Sequence, residues 1–397
     1  MSAMALHLRE PLAADAAAPA TTWAGYALHR AASLPSLEGD WRRLETCGGT
    51  TLFQTYAYVS AWVAHAAAGH GETPVFFTGS RDGAVCFILP MAITRRAGVK
   101  VLGWLGQAHA NYGMPVAAPG TFAEAAGDVG ALVRQVASLA GAAVVHLDRQ
   151  PEEWAGAANP FATGPGSRRG ANDTFVLRLG EDYAALHGRL FSSRTMSGLK
   201  RKQRKMEELG GVSFNEPAEP SRRHAIFDWF CTEKREQLAR TGRASPFDDP
   251  QIQALYKTMA EDEAIFQTDE LVVGDERVAV GLTAYHAGVA SLINTAHVGG
   301  AFARFSPGTL LMHHMVAAAH AKGARTYDFG PGELPYKLEW DPQIIGLRST
   351  TLATRWTGLP LAALLRTLGW AKCRVKRDPR LMALVERLRS ARSAPGA

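Results

Sequence analysis

Apolar positions recur along the chain in two periods, one suited to strands and one to helices, and their order gives the first structural information. Val75–Thr78 and Val85–Ile93 are apolar runs joined through Asp82-Gly83, a pair that accepts positive φ at both places, so they predict an antiparallel hairpin. A short strand over Gly25–His29 precedes them, followed by a helix over 34–46, where Leu37, Trp41 and Leu44 share one face, and a second helix over 55–67. A strand at 99–105, a helix at 122–139 and a strand at 143–147 complete a first α/β unit.

The same order then restarts. Phe175–Leu179 predicts a strand, 182–209 a helix with a break at Ser192-Ser193, and Gly210-Gly211 a stop before strand Val212–Asn215. Helices over 220–240 and 249–260 lead into three apolar runs, 265–273, 278–286 and 289–297, whose short connections impose an antiparallel meander. A helix from Ser306 to Lys322 and a strand at 326–329 follow. The expected fold class is α/β and duplicated: two mixed, mostly antiparallel sheets flanked by helices, without a residue-level repeat. The expected organisation is a flexible leader (1–22), an N-terminal domain (23–155), a Gly/Pro/Asn/Ser-rich linker (156–172), a C-terminal domain (173–352) and a basic helical tail (353–397).

Charge sharpens this picture. The 397 residues carry a net charge of +6, but residues 351–397 hold ten basic and two acidic side chains, so the body is slightly acidic. A general nucleic-acid surface is therefore not what the basic pI means. Four cysteines without a close pair fit neither a disulfide scaffold nor a zinc site, and no metal-ligand spacing ties His297, His313 or His314 to acids or cysteines, so no metal is expected. The first residues lack an apolar signal core, and no apolar stretch reaches the roughly 20 residues that span a bilayer. The expected location is cytoplasmic. In the tail, Leu381, Leu384, Val385 and Leu388 recur at helical spacing between arginines. Such a stripe either packs on the body or lies on the anionic inner face of a membrane.

The densest chemistry lies in 301–340. Ser306 suits an N-cap, Pro307 a first helical position, and Gly308 a close backbone approach, so the helix start can face an anion. Asp328 ends a strand that opens into a Gly/Pro loop bearing Glu333, Tyr336 and Lys337. Upstream, Lys200, Arg201, Lys202, Arg204 and Lys205 crowd one helix, with 201, 204 and 205 on one face; this is either an anion-binding face or a solvated one.

With FQTYAYVSAW (53–62), LKRKQRKMEELGGVSF (199–214), Ser306-Pro307-Gly308 and YDFGPGELPYKLEW (327–340) in this order, the sequence resembles the CelD-like, FemAB-related branch of the GNAT-type acyltransferases. The resemblance covers roughly 30–352 and implies two GNAT-like folds and acyl transfer to an amine or hydroxyl of a sugar, lipid or specialised-metabolite acceptor. It implies acyl-CoA, above all acetyl-CoA, as donor substrate, held by Arg304, Ser306, Gly308 and Thr309. The helix start departs from the family's R/Q-x-x-G-x-G/A pattern, which keeps aminoacyl-tRNA open as an alternative donor, as in FemAB-type relatives. A non-catalytic scaffold in polysaccharide assembly is the third reading. Direct transfer needs a base and an acid. Asp328 or Glu333 is the expected base, Tyr336 the proton donor to the leaving group, and Asn111, Tyr112, Arg201, Lys337 and Trp340 the expected substrate-binding residues.

Overall fold

The computed structural model describes residues 21–383 and 385, apart from 107, 108, 119, 124–127 and 241. The first half contains β1 (Thr21–Trp23), β2 (Tyr26–Arg30), α1 (Glu38–Glu45), α2 (Tyr56–His65), β3 (Thr73–Arg81), β4 (Ala84–Arg96) and β5 (Val99–Trp104). It continues through β6 (Val116–Ala117), α3 (Val129–Leu139), β7 (Val144–Pro151), β8 (Glu153–Trp154), β9 (Ala157–Ala158) and α4 (Pro160–Thr163). The second half opens with β10 (Ser167–Arg178), α5 (Tyr183–Leu190), α6 (Ser193–Glu207), β11 (Val212–Asn215), α7 (Pro220–Ala239) and α8 (Pro250–Met259). Then come β12 (Phe266–Val273), β13 (Glu276–His286), β14 (Val289–His297), α9 (Pro307–Ala321), β15 (Thr326–Pro331), α10 (Pro335–Leu338), β16 (Gln343–Ala353) and α11 (Leu359–Arg377).

Local chemistry sets these boundaries. Asp82 and Gly83 both take positive φ at the β3–β4 hairpin, as the turn pair predicts. The break inside the long helical stretch falls at Ser192, whose hydroxyl accepts from the Thr195 amide and caps α6. Thr55 and Asp249 cap α2 and α8 in the same way.

One 14-stranded sheet runs through the molecule in the order β1-β2-β3-β4-β5-β7-β16-β10-β15-β14-β13-β12-β11, with β6 on β4. Two pairings in it are parallel, β5 with β7 and β14 with β15. The halves join edge to edge along the sheet, β1 to β7 on one side and β16 to β11 on the other. β10 opens the second half and pairs with its β15, while β16, the last strand, pairs with β7 of the first half. β16 and β10 also pair with each other. The stretch 156–172, expected as a linker, is instead built into β9, α4 and the start of β10, because its backbone groups are taken up by β16. The first residues of β1 overlap the expected leader; the rest of the leader, and most of the 381–388 leucine pattern, lie outside the described residues.

The core spans the junction. One apolar cluster joins Trp41, Trp62 and Phe76 of the first half to Phe227, Phe230 and Leu255 of the second, as α2 packs on α8. Separate clusters lie beneath α9 and α3 on the opposite face of each half.

Candidate functional site

The Gly/Pro loop after β15 supplies two different environments, one sealed and one open. Asp328 is 0% exposed. Its carboxylate accepts from the Tyr112 hydroxyl at 2.8 and 2.9 Å and from the Gly330 amide at 2.8 Å, and the Thr174 hydroxyl lies 3.3 Å away. Lys337, only 3% exposed, donates from Nζ to the carbonyls of Gly330 (2.9 Å) and Pro331 (3.4 Å). Burial raises the Asp328 carboxyl above its ordinary range, opposed by the Gly330 amide, Tyr112 and the Lys337 charge. Burial likewise pushes the Lys337 ammonium down to about 8, opposed by Asp328. This cluster ties the first half, through Tyr112, to β10 and β15.

Asp328 is therefore not placed as the expected base: its oxygens are spent on buried hydrogen bonds, of which those from Tyr112 cross between the halves. Tyr112 and Lys337 are likewise internal, not substrate-facing. Asn111 sits against the turn, where a Cβ on Gly330 would come within 3.4 Å of its Nδ2. Glu333 is exposed on the loop and does not line the cleft described next.

The open environment lies where two parallel strands part. β14 and β15 pair over Val289–Ser291 and Thr326–Asp328, after which β14 runs on to His297, with a bulge at Ile293 against β13. A cleft of about 460 Å3 opens beyond this point. Its walls are the α9 start (Ser306, Gly308, Thr309), the end of β14 (Asn294, Thr295, His297), Lys234 and Gln237 of α7, and Tyr336, Glu339 and Trp340 after β15. The structure thus brings the expected Ser306, Gly308, Thr309, Tyr336 and Trp340 together. Such a place, at the carboxyl ends of diverging strands and over a helix N-terminus, is where α/β folds hold anionic ligands. In the first half the cavity against β5 and β7 is smaller, about 180 Å3, and beside it Gly113 donates to the Arg149 carbonyl (3.1 Å) and Tyr112 packs between Trp154 (4.8 Å) and Phe53 (5.9 Å).

Details of the helix start differ from the sequence expectation. Ser306 adopts a left-handed conformation (φ 56°) and makes no side-chain cap; its hydroxyl accepts from Lys202 at 2.8 Å. Lys202, not Arg201, is thus the residue of α6 that reaches this site, and Arg201, Arg204 and Lys205 are exposed. Gly308 is required by packing, since a Cβ there would stand 2.7 Å from Cδ2 of His297. Arg304 is exposed and lies over the Phe305 ring (4.7 Å), outside the cleft wall.

Sequence reasoning missed four polar groups of the cleft. Glu339 is the one carboxylate among the described residues that line it. Lys234 donates to the Thr295 carbonyl (2.9 Å), and burial pushes its ammonium down to about 8. His297 meets the Gln237 amide nitrogen at 3.1 Å. His313, held neutral by burial with a value lowered to about 4, contacts His187 (3.0 Å) and the Trp340 ring (4.8 Å). None of the four stands in a recognisable spacing; only the fold brings α7, β14, α9 and the segment after α10 together. His314, which no metal-ligand spacing ties to an acid in the sequence, meets two in the fold. Its ligand atom lies within 4.8 Å of those of Glu216 and Asp269, while the Lys322 ammonium already sits 2.5 Å from Glu216.

Comparison with known proteins agrees with this geometry. Residues 193–338, from the start of α6 to the end of α10, match the acetyltransferase (GNAT) domain family. The crystal structure of FemX superimposes with a TM-score of 0.59 at 11% identity, over 84% of this chain and 98% of that one. L-PGS from Bacillus licheniformis gives 0.50 at 14% identity, over 84% and 98%. Comparison with curated proteins by sequence gives no match. These likenesses establish the fold as a duplicated GNAT-like one, with large mixed strand pairing and flanking helices.

Proposed function

We propose that the chain is a GNAT-type acyltransferase. In this reading the second half binds an activated acyl donor against the α9 start and passes its acyl group to an amine or hydroxyl of a sugar, lipid or metabolite acceptor. The observation that carries it is the cleft at the β14–β15 divergence, where the α9 start, the end of β14 and the segment after β15 meet around an open volume. Membership of the CelD-like branch, and a role in polysaccharide or lipid assembly, belong to the same proposal.

The chemistry follows from the walls. The acceptor attacks the acyl carbonyl as a neutral nucleophile, so its proton must leave. Glu339 is placed to take that proton. Tyr336, whose hydroxyl burial pushes up to about 12 and so keeps protonated, gives its proton to the departing thiolate or alkoxide. Asn294 and Thr295, on the segment of β14 past the bulge, line the wall where the developing oxyanion needs donors.

Acyl-CoA is the proposed donor. Its phosphates would meet a site with few backbone donors: Pro307 has no N–H, and the amides of Ser306 and Thr309 bond the carbonyls of Ala303 (3.1 Å) and Ser306 (3.0 Å). The Lys202 charge and the Gly308 amide would then hold the anion. That reliance on a basic helix favours a second reading, aminoacyl-tRNA as donor, in which the exposed Arg201, Arg204 and Lys205 track a phosphate backbone.

A panel of acyl-CoA thioesters and amine acceptors, followed by thiol release, tests the proposal. Release that Glu339→Gln abolishes supports it. Absence of acyl-CoA binding, together with salt-sensitive tRNA binding that weakens on neutralising Arg201, Arg204 and Lys205, transfers the assignment to the second reading. If neither donor binds and Glu339→Gln with Tyr336→Phe functions like wild type in cells, the acyltransferase reading falls and the scaffold reading replaces it.

A further inference from the structure

The helix after the second half turns an apolar face outward. On its inner side α11 is anchored: Ala362 is buried with Val101 and Val144, and Leu361 and Leu365 pack beside them. Its start is pinned at Gly358, where a Cβ would meet the Ala143 carbonyl oxygen. On the outer side Trp356 is 81% exposed, Leu359 58%, Leu364 53%, Leu368 56% and Trp370 62%. Around α11, Leu359 and Trp370 fall on one edge of the outward side and Leu364 and Leu368 towards the other, with Pro360 and Ala363, also exposed, between them. Five of the nine large hydrophobic side chains exposed among the described residues belong to this one stretch, so the patch is not the ordinary scatter of surface leucines.

Charge next to the stripe is mainly positive; Arg377 is paired with Asp173 (2.9 Å), and Asp378 follows it. No Asp or Glu occurs between residues 342 and 377, while Arg355 precedes the stripe and Lys372, Arg374 and Arg377 follow it. Beside Leu368 and Trp370 a separate cavity of about 250 Å3 opens between α11 and the strands β7, β16 and β10. Its walls carry Arg96, Arg149, Arg168, Arg169, Arg366 and Lys372 against a single carboxylate, Asp148. This cavity lies on different elements from the β14–β15 cleft and shares no residue with it.

We infer that α11 docks on an anionic phospholipid bilayer, its Trp356–Trp370 stripe entering the headgroup boundary and the cationic cavity receiving a lipid phosphate. Tryptophan at the rim of an apolar helix face, with cations beside it, has the make-up of an interfacial helix. A second copy of the chain is the poorer occupant, because the same stretch on a partner offers no carboxylate to meet these cations. The surface is an interfacial one, since no helix among the described residues is long and apolar enough to cross a membrane. The inference is independent of the transfer chemistry, because binding to lipid is read without turnover.

The test is flotation of the full chain with vesicles of phosphatidylcholine alone and of phosphatidylcholine mixed with phosphatidylglycerol, with tryptophan emission recorded in parallel. The expected result is binding to the mixed vesicles with a blue shift, weakened by salt and absent on phosphatidylcholine alone. Trp370→Ser with Leu368→Ser should lose the bound fraction, and Lys372→Glu with Arg374→Glu should weaken partitioning roughly tenfold or more, given the contribution of each cation at an anionic surface. All four positions are exposed, and unchanged melting curves will show that the variants fold. Failure to float with mixed vesicles overturns the inference. So does equal flotation of the Trp370→Ser, Leu368→Ser variant, or a concentration-dependent dimer, abolished by that variant, in protein that does not bind lipid.

Discussion

The Tyr112 hydroxyl donates to both carboxylate oxygens of Asp328, joining residues 216 positions apart across the boundary between the two halves. That relationship makes Asp328 part of a buried latch. Tyr112→Phe leaves the carboxylate short of a donor in a site without water access, which should cost about 1–3 kcal/mol. The urea midpoint of the variant should fall while acyl-donor binding at low temperature stays unchanged. A variant of normal stability that had lost turnover would instead return Asp328 to the chemistry.

The cleft should respond differently. Glu339→Gln removes the proton acceptor without altering its shape, and a loss of turnover on the order of 100- to 10,000-fold is expected with KM little changed. Tyr336→Phe should lower turnover less for good leaving groups than for poor ones. Steady-state kinetics across a leaving-group series checks both.

Lys202 and Arg201 are neighbours with opposite expected outcomes. Because Lys202 reaches Ser306 at the helix start, Lys202→Met should raise the KM for an anionic donor roughly tenfold, the scale of a charge-assisted hydrogen bond. It should also flatten the dependence on salt. Arg201→Gln, on the exposed face, should leave acyl-CoA kinetics as they are; equal effects of the two would contradict this placement.

At Gly308 the expected effect is steric. The added methyl of Gly308→Ala, 2.7 Å from the His297 ring, must displace that ring or the first turn of α9. Overpacking of this kind costs about 1–3 kcal/mol, so both donor affinity and thermal midpoint should drop. Restoration of both in the double variant with His297→Ala is the diagnostic result.

Lys234 sets a pH dependence. Its ammonium, lowered from 10.5 to about 8 by burial, loses its charge as pH rises through about 8. Affinity for an anionic donor should fall over that range, and Lys234→Met should abolish the fall. Stability moves the other way. Between about 8 and 10.5 the unfolded chain binds more protons at this residue than the folded one, so this contribution to stability rises with pH across that window. Titration of donor affinity and of urea midpoints in wild type and variant separates the two effects.

Much of the fold was legible in the sequence because it depends on local signals. Asp82-Gly83 marked its hairpin, Ser192 broke its helix, and the short turns between the apolar runs of 265–297 laid out the meander. The pairing of β16 with β7 on one side and β10 on the other left no such mark, because a strand's partner is not written in its own period. The Gly-rich composition of 156–172 therefore suggested a linker where a sheet strand begins. In the site, residue types near the α9 start were readable, whereas the burial of Asp328 was not. A carboxylate ending a strand beside a Gly/Pro loop has the same sequence appearance whether a tyrosine from 216 positions away seals it or not. Glu339, Lys234 and His313 enter the cleft from three segments, which no linear spacing announces.

The β7–β16 pairing also bears on how the molecule is made. Strands β1 to β7 all precede β16 in the chain, so the outer edge of β7 stays unpaired until Gln343–Ala353 arrives. On the ribosome the earlier half therefore holds an open strand edge until the second half has been made. An excised 193–338 segment would lack β10, the strand that flanks β15.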